Sequence, residues 1–262
     1  AAARGHIAKV HSTPAYQASG FLDGIATQGT PAGIATIVHG TTVGTNALLE
    51  RKGARTGVIT TKGFGDVLEM RRRDRPRTWG LWGSFVPVVP RDLRIEVEER
   101  TLADGTVRQA VDADEVKAAA RTLLERGAQA VSVFFVNAYA NDENERAAVA
   151  ALREIWPNDY INASSDILPE IREFERASTT ALNAYLQPVV GKYLASLERR
   201  LAGEGFAGQL LIVQSNGGVM TVETARRRPI RTALSGPAAG VIASAHIAKA
   251  AGCNNVITCD MG

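Results

Sequence analysis

Cysteine is nearly missing from this sequence: Cys253 and Cys259 are the only two. Their spacing matches no zinc-ligand pattern, and two lone cysteines make no disulfide framework. A reducing, cytoplasmic setting is therefore expected, with Cys259, inside an apolar run, read as a small core residue. The 4 histidines are dispersed, with no H-x-x-x-H pair, so no dedicated metal cage is expected. No run of ~18 or more apolar residues occurs, which excludes an ordinary membrane-crossing helix. The opening residues Ala1 to His6 lack the apolar stretch of a signal peptide. They also lack an initiating methionine, and the chain stops at Gly262, so both ends read as trimmed. No low-complexity linker, short repeat, Ser-His-Asp set or Cys-His set is visible.

What is present is an ordinary soluble composition: 262 residues, 45% hydrophobic and 22% charged, with a net charge of +3. That length buries a large core in one or two domains. The dense basic cluster is Arg71-Arg72-Arg73-Asp74-Arg75-Pro76-Arg77. A nucleic-acid binder spreads Lys and Arg along a face and interleaves aromatics, and this sequence does not. Concentrated guanidinium groups suit a local carboxylate or phosphate, with a solvated loop as the alternative.

Short apolar runs alternate with helical patterns, which predicts an α/β fold of mixed, largely parallel sheets with flanking helices. Ile34 to His39 reads as a strand, Val43 to Lys52 as a helix, and Thr56 to Thr61 as the strand completing a β-α-β unit. Asp104-Gly105 marks an inserted β-hairpin. Asp112 caps a helix that runs to Glu125 and ends at Gly127. Ala130 to Val136 is a buried strand, Asn141 to Trp156 a helix, and Tyr160 to Asn162 a further strand. Glu170 to Leu201 is a long helical stretch that Pro188 is expected to kink or divide. Leu210 to Val213 is a strand, Gln214 to Gly218 a loop, and Pro237 to Ala251 a helix. Asn255 to Asp260 reads as a final strand. A domain boundary is placed near Ser164 to Asp166.

The candidate chemistry lies where strands hand over to helices. From His39 to Asn46 the sequence brings Gly40, Thr41, Thr42, Thr45 and Asn46 to one turn. Free N–H groups and hydroxyls there can hold an anion or an amide carbonyl. Capping by Thr42 or Thr45 is the alternative, and it accounts for one hydroxyl rather than the whole set. His39 is the candidate general base, or equally a satisfied core histidine. Ser215, Asn216 and Gly217 form either a cleft-lining loop or a plain turn. At the other end, an apolar run followed by Asp260-Met261-Gly262 resembles the opening of the Asp-x-Gly-Gly-Thr phosphate turn of actin-like ATPases. Ser235-Gly236-Pro237 opens the helix before it, with proline preorganised for a first turn.

Together these segments resemble the hydantoinase A/5-oxoprolinase family. The resemblance rests on residues 39–51, Gly63-Phe64-Gly65-Asp66, 176–186, 214–218 and 235–240, which span nearly the whole chain. It implies part of an actin-like ATPase fold, with residues 1–165 as the N-terminal-type region. Residues 166–262 would begin the core domain, cut at its second phosphate turn. It also implies an ATP-dependent enzyme that opens a cyclic amide or imide of the 5-oxoproline or hydantoin type. An unstrained lactam carbonyl is a poor electrophile, and phosphorylating its oxygen gives an activated intermediate that water can open. In that reading His39 and Asp260 are catalytic, and Asp260 orients Mg²⁺ through water. Asp260, Gly262, Ser235 and Gly236 hold ATP. Gly40, Thr41, Thr42, Thr45, Asn46, Arg71, Arg72, Ser215, Asn216 and Gly217 hold substrate. A hydantoinase B-type partner subunit is implied, homo-oligomerisation is left open, and neither nucleic acid nor membrane is expected as a partner. The alternatives are an ATP-dependent ketone carboxylase subunit and a binding module without activity of its own.

Overall fold

The computed structural model describes residues 8–11, 17–27, 29–72, 83 and 85–259. The chain divides into two compact units, residues 47–189 and residues 1–46 with 190–262. Two helices, α2 (Val43–Leu49) and α7 (Glu173–Gly203), run from one into the other.

The 47–189 unit is built on a parallel sheet of order β3-β2-β6-β7, with β2 at Thr56–Thr61, β3 at Arg94–Val97, β6 at Ala130–Phe134 and β7 at Ile161–Ala163. Every residue of β2 and β6 is buried, as expected for strands covered on both faces. Helices α4 (Ala113–Glu125) and α5 (Glu143–Arg153) contribute Val116, Leu123, Ala148 and Leu152 to a core shared with Ile59, Leu93, Val133 and Phe135. Helix α4 starts where expected, because the Asp112 carboxylate accepts from the Asp114 and Glu115 N–H groups and so satisfies orphan donors of the first turn. The hairpin is β4 (Arg100–Thr101) against β5 (Val107–Gln109), turned at Gly105 with φ +86°. The hairpin forms at the expected turn and is short, because residues 94–97 before it pair in parallel with β2.

Arg176, at the start of α7, is wholly buried. Its guanidinium donates to Ser164 Oγ at 3.1 Å, Phe135 O at 2.7 Å and Glu170 O at 3.1 Å. Glu145 accepts from the Phe135 and Ser165 N–H groups at 2.9 and 2.8 Å and from the Ser164 hydroxyl. A buried charge persists when its donors or acceptors are met in this way. Arg176 therefore ties the loops after β6 and β7 to α7.

In the other unit, β1 (Thr36–His39) runs parallel to β8 (Gln209–Val213), which pairs antiparallel with β9 (Val219–Thr221). Ile37, Leu197, Leu201 and Ala18 of α1 (Gln17–Ala26) form its small core. After β9 come α8 (Val222–Arg227) and α9 (Ser235–Ala250).

Four expectations are corrected. The expected β-α-β unit is not one, since β1 and β2 lie in different sheets. Both edges of β2 are taken by β3 and β6, while β1 finds its partner in β8. Pro188 does not divide α7, which is continuous from Glu173 to Gly203. Burial of Ala184, Leu186, Val190, Leu194 and Leu197 on both sides of the proline outweighs one missing N–H. No strand forms over residues 255–259. An extended run becomes a strand only when a neighbour completes its ladder, and no described residue pairs with this one; Ile257 is 96% exposed. Cys259 is accordingly exposed, not a core residue.

Candidate functional site

Parallel pairing of β1 with β8 aligns His39 with Ile212, so the turn after β1 and the loop after β8 leave the same edge of the sheet. Outside the carboxyl ends of parallel strands is where α/β folds collect ligands. Three segments converge there: residues 40–46, residues 214–218, and the start of α9.

The first segment is anchored by a chain of hydrogen bonds. Val43 N–H donates to Thr41 Oγ1 at 3.2 Å, which closes the turn into α2. The Thr41 hydroxyl bonds the Tyr193 hydroxyl, and Tyr193 Oη lies 2.8 Å from His39 Nε2. Each hydroxyl can donate once along this chain if Tyr193 donates to His39, which puts the ring proton on Nδ1. Phe21 stands edge-on to the imidazole at 4.5 Å between centroids. Desolvation in this setting lowers the His39 pKa to about 4 and raises that of Tyr193. Both are neutral at physiological pH, and His39 is held by its neighbours.

The second set of bonds joins this turn to α9. Ser235 Oγ donates to Thr41 O at 3.3 Å, and Leu234 N–H donates to Thr45 Oγ1 at 3.0 Å. Leu234 is left-handed at φ +59°, a conformation that costs a leucine ~1 kcal/mol or more. It lets the chain reverse directly into α9. Thr42 is exposed, and Asn46 Nδ2 reaches its hydroxyl at 3.4 Å. Gly40 and Gly236 are exposed, with nothing within 4 Å of an added Cβ.

The 214–218 loop is shaped by its own residues. The Asn216 side chain accepts from Gly218 N–H at 2.9 Å, and Ser215 N–H donates to Arg231 O at 2.7 Å. Gly217 is at φ +82°, and a Cβ there would stand 2.1 Å from Ile242 Cδ1 of α9. The loop therefore lies against the Ile242 side chain of α9, and its positive φ at Gly217 favours glycine.

Residues 2–156 match the family model "Hydantoinase/oxoprolinase N-terminal region", and residues 176–262 match "Hydantoinase/oxoprolinase". The chain belongs to the hydantoinase/oxoprolinase family. Caprolactamase subunit alpha of Pseudomonas jessenii is 35% identical over 86% of the chain and 33% of its own length. The acetophenone carboxylase gamma subunit of Aromatoleum aromaticum is 29% identical over 98% of the chain and 38% of its length. The 5-oxoprolinase of Saccharomyces cerevisiae is 31% identical over 78% of the chain and 18% of its length. Among solved structures, the ATP-dependent caprolactamase from Pseudomonas jessenii superposes with a TM-score of 0.82 at 32% identity, covering 94% of this chain and 36% of that one. Nucleotide-free acetone carboxylase gives a TM-score of 0.79 at 26% identity over 92% and 37%. The family chain thus spans well under half the length of these relatives, and its α/β architecture is part of an actin-like ATPase fold.

Of the residues read from the sequence, His39, Gly40, Thr41, Thr42, Thr45, Asn46, Ser215, Asn216, Gly217, Ser235 and Gly236 all fall in the unit that holds β1 and β8. Arg71 and Arg72 fall in the other. Arg72 is ion-paired to Glu175, and the Arg71 guanidinium lies 3.7 Å over the Phe85 ring. Asp260 and Gly262 lie outside the described residues, as do residues 73–77 of the basic cluster. Sequence reading missed Tyr193 and Leu234. A periodic helix gave no sign that one tyrosine turns to the end of β1, and nothing marks a leucine as left-handed.

Among the described residues, no helix is long and apolar enough to cross a membrane.

Proposed function

We propose that the natural full-length protein uses ATP to open a cyclic amide or imide, with the carboxyl edge of β1 and β8 receiving the substrate. The observation that carries this reading is the meeting of the 40–46 turn, the 214–218 loop and the start of α9 at that one edge.

Thr42 Oγ and the Asn46 carboxamide, with open backbone at Gly40, are the groups suited to hold the ring amide. Thr41 and Thr45 are occupied with backbone N–H groups, so they shape the turn and meet substrate through its backbone. His39 works from behind: buried, neutral and bonded to Tyr193, it positions Thr41. Ser215, Asn216 and Gly217 border the same edge. The fit of a nucleotide phosphate is supported by the exposed Gly236 at the start of a 16-residue helix, whose first N–H groups favour an anion. ATP, when bound, supplies the phosphoryl group that makes the lactam carbonyl electrophilic. Asp260 and Gly262 would complete its site, with Mg²⁺ reached from Asp260 through water. A B-type partner subunit belongs to the same reading, since relatives carry the name subunit, and a cytoplasmic location is proposed with it from the scarcity of cysteine.

The experiment is phosphate release by the natural full-length protein, with any partner subunit, across 5-oxoproline, hydantoin and caprolactam. Lactam-stimulated release is expected, and none across the panel would sink the reading. The carboxylase relatives favour a second reading, phosphorylation of a ketone enolate or bicarbonate. Release that depends on bicarbonate with acetone or acetophenone, and not on a lactam, would replace the first reading by the second.

A further inference from the structure

The 47–189 unit holds a cavity of ≈ 290 Å³, just below the ~300–1,000 Å³ typical of small-molecule sites. Its walls are apolar, with Leu68, Phe85, Phe174 and Leu182 among them, and its polar groups are Arg51, Arg71 and Ser178. No described residue lining it is acidic.

Both arginines are set by unusual backbone. Arg51 is at φ 53° and Arg71 at φ 51°, ψ −136°, conformations that non-glycine residues rarely adopt and that gather at ligand sites. Arg51 Nη2 donates to Val86 O at 2.8 Å. The Arg71 guanidinium stacks over Phe85 at 3.7 Å and stands 5.7 Å from the Phe174 centroid. Stacking on Phe85 engages a face of the guanidinium, whose five N–H groups lie in its plane. With five such donors, an arginine that already has a partner can still take a carboxylate.

We propose that this cavity binds a small organic acid of benzoate or hexanoate size. Its carboxylate rests on the edge of Arg71, with Arg51 and the Ser178 hydroxyl beside it, and its hydrocarbon lies against Leu68, Phe174 and Leu182. Two cations on an apolar wall, with no acid among the described lining residues, make the carboxylate the matching ligand chemistry. Binding of this kind needs neither ATP nor a lactam, so its failure and the failure of the ring-opening reading are separate results.

The test is isothermal titration of the full chain with hexanoate, benzoate and hexanamide, repeated on Arg71→Met and Ser178→Leu, with folding checked by circular dichroism. Saturable binding of an acid is expected, weakened at least tenfold for hexanamide, for Arg71→Met and for Ser178→Leu, whose larger side chain fills the cavity. The hexanoate and hexanamide comparison needs only the unmutated chain. Absence of saturable binding by either acid, equal binding of the amide, or unchanged binding by a folded Arg71→Met would overturn the proposal.

Discussion

At the end of β1, burial strips the His39 ring of water and leaves its Nε2 against the Tyr193 hydroxyl. An imidazole in that setting resists protonation, and its pKa falls from 6.5 to about 4. In the unfolded chain the ring titrates near 6.5, so the unfolded state binds the proton more readily between those values. The stability that the neutral ring contributes is therefore full above about pH 6.5 and is lost as pH falls toward 4. The loss is bounded at about 3 kcal/mol. Urea midpoints at pH 7.5 and 4.5 should drop further for the wild-type chain than for His39→Gln, whose amide keeps a partner for Tyr193. Equal drops would contradict the assignment. The 40–46 turn was legible because glycines, threonines and an asparagine crowd a strand end, where capping needs only one of them. Tyr193 was not, because its partner is 154 residues away and only tertiary pairing brings them together. The αL conformation of Leu234 was equally invisible, since no residue preference points to it.

Elements were read well where the signal is local. The Asp112 cap, the Gly105 turn and the alternation of apolar runs with helical periods each rest on a few neighbouring residues. Pairing was not legible: which strand lies beside β1 depends on β8, far along the chain, and periodicity carries no address. The β1–β8 contact has a physical weak point at Gly208. A Cβ there would lie 2.4 Å from Ala35 O and 2.5 Å from Ile34 O, backbone atoms that cannot move aside while Gln209 N–H bonds Ala35 O at 2.9 Å. Gly208→Ala should destabilise the chain by roughly 2–3 kcal/mol. Gly191→Ala, inside α7 with nothing within 4 Å of its added Cβ, should do the opposite by about 0.5–1 kcal/mol. Chemical denaturation of both variants checks the pair, and a Gly208→Ala chain as stable as wild type would refute the register.

For the whole molecule, the family was legible because its segments recur in order along nearly all of the sequence. The final strand was misread for a matching reason: an apolar run predicts extended backbone, but a strand also needs a neighbour. With the chain spanning 38% of the length of relatives such as the acetophenone carboxylase gamma subunit, activity is a property to be measured on the natural full-length protein. The claim at stake there is that the edge of β1 and β8 receives the lactam. The most direct measurement is lactam-dependent phosphate release by the Thr42→Val, Asn46→Ala double variant, beside its affinity for ATP. Loss of both polar groups should lower kcat/KM for the lactam by about 10²-fold, equivalent to ~2.7 kcal/mol, with ATP affinity within twofold of wild type. Unchanged kcat/KM would contradict the account.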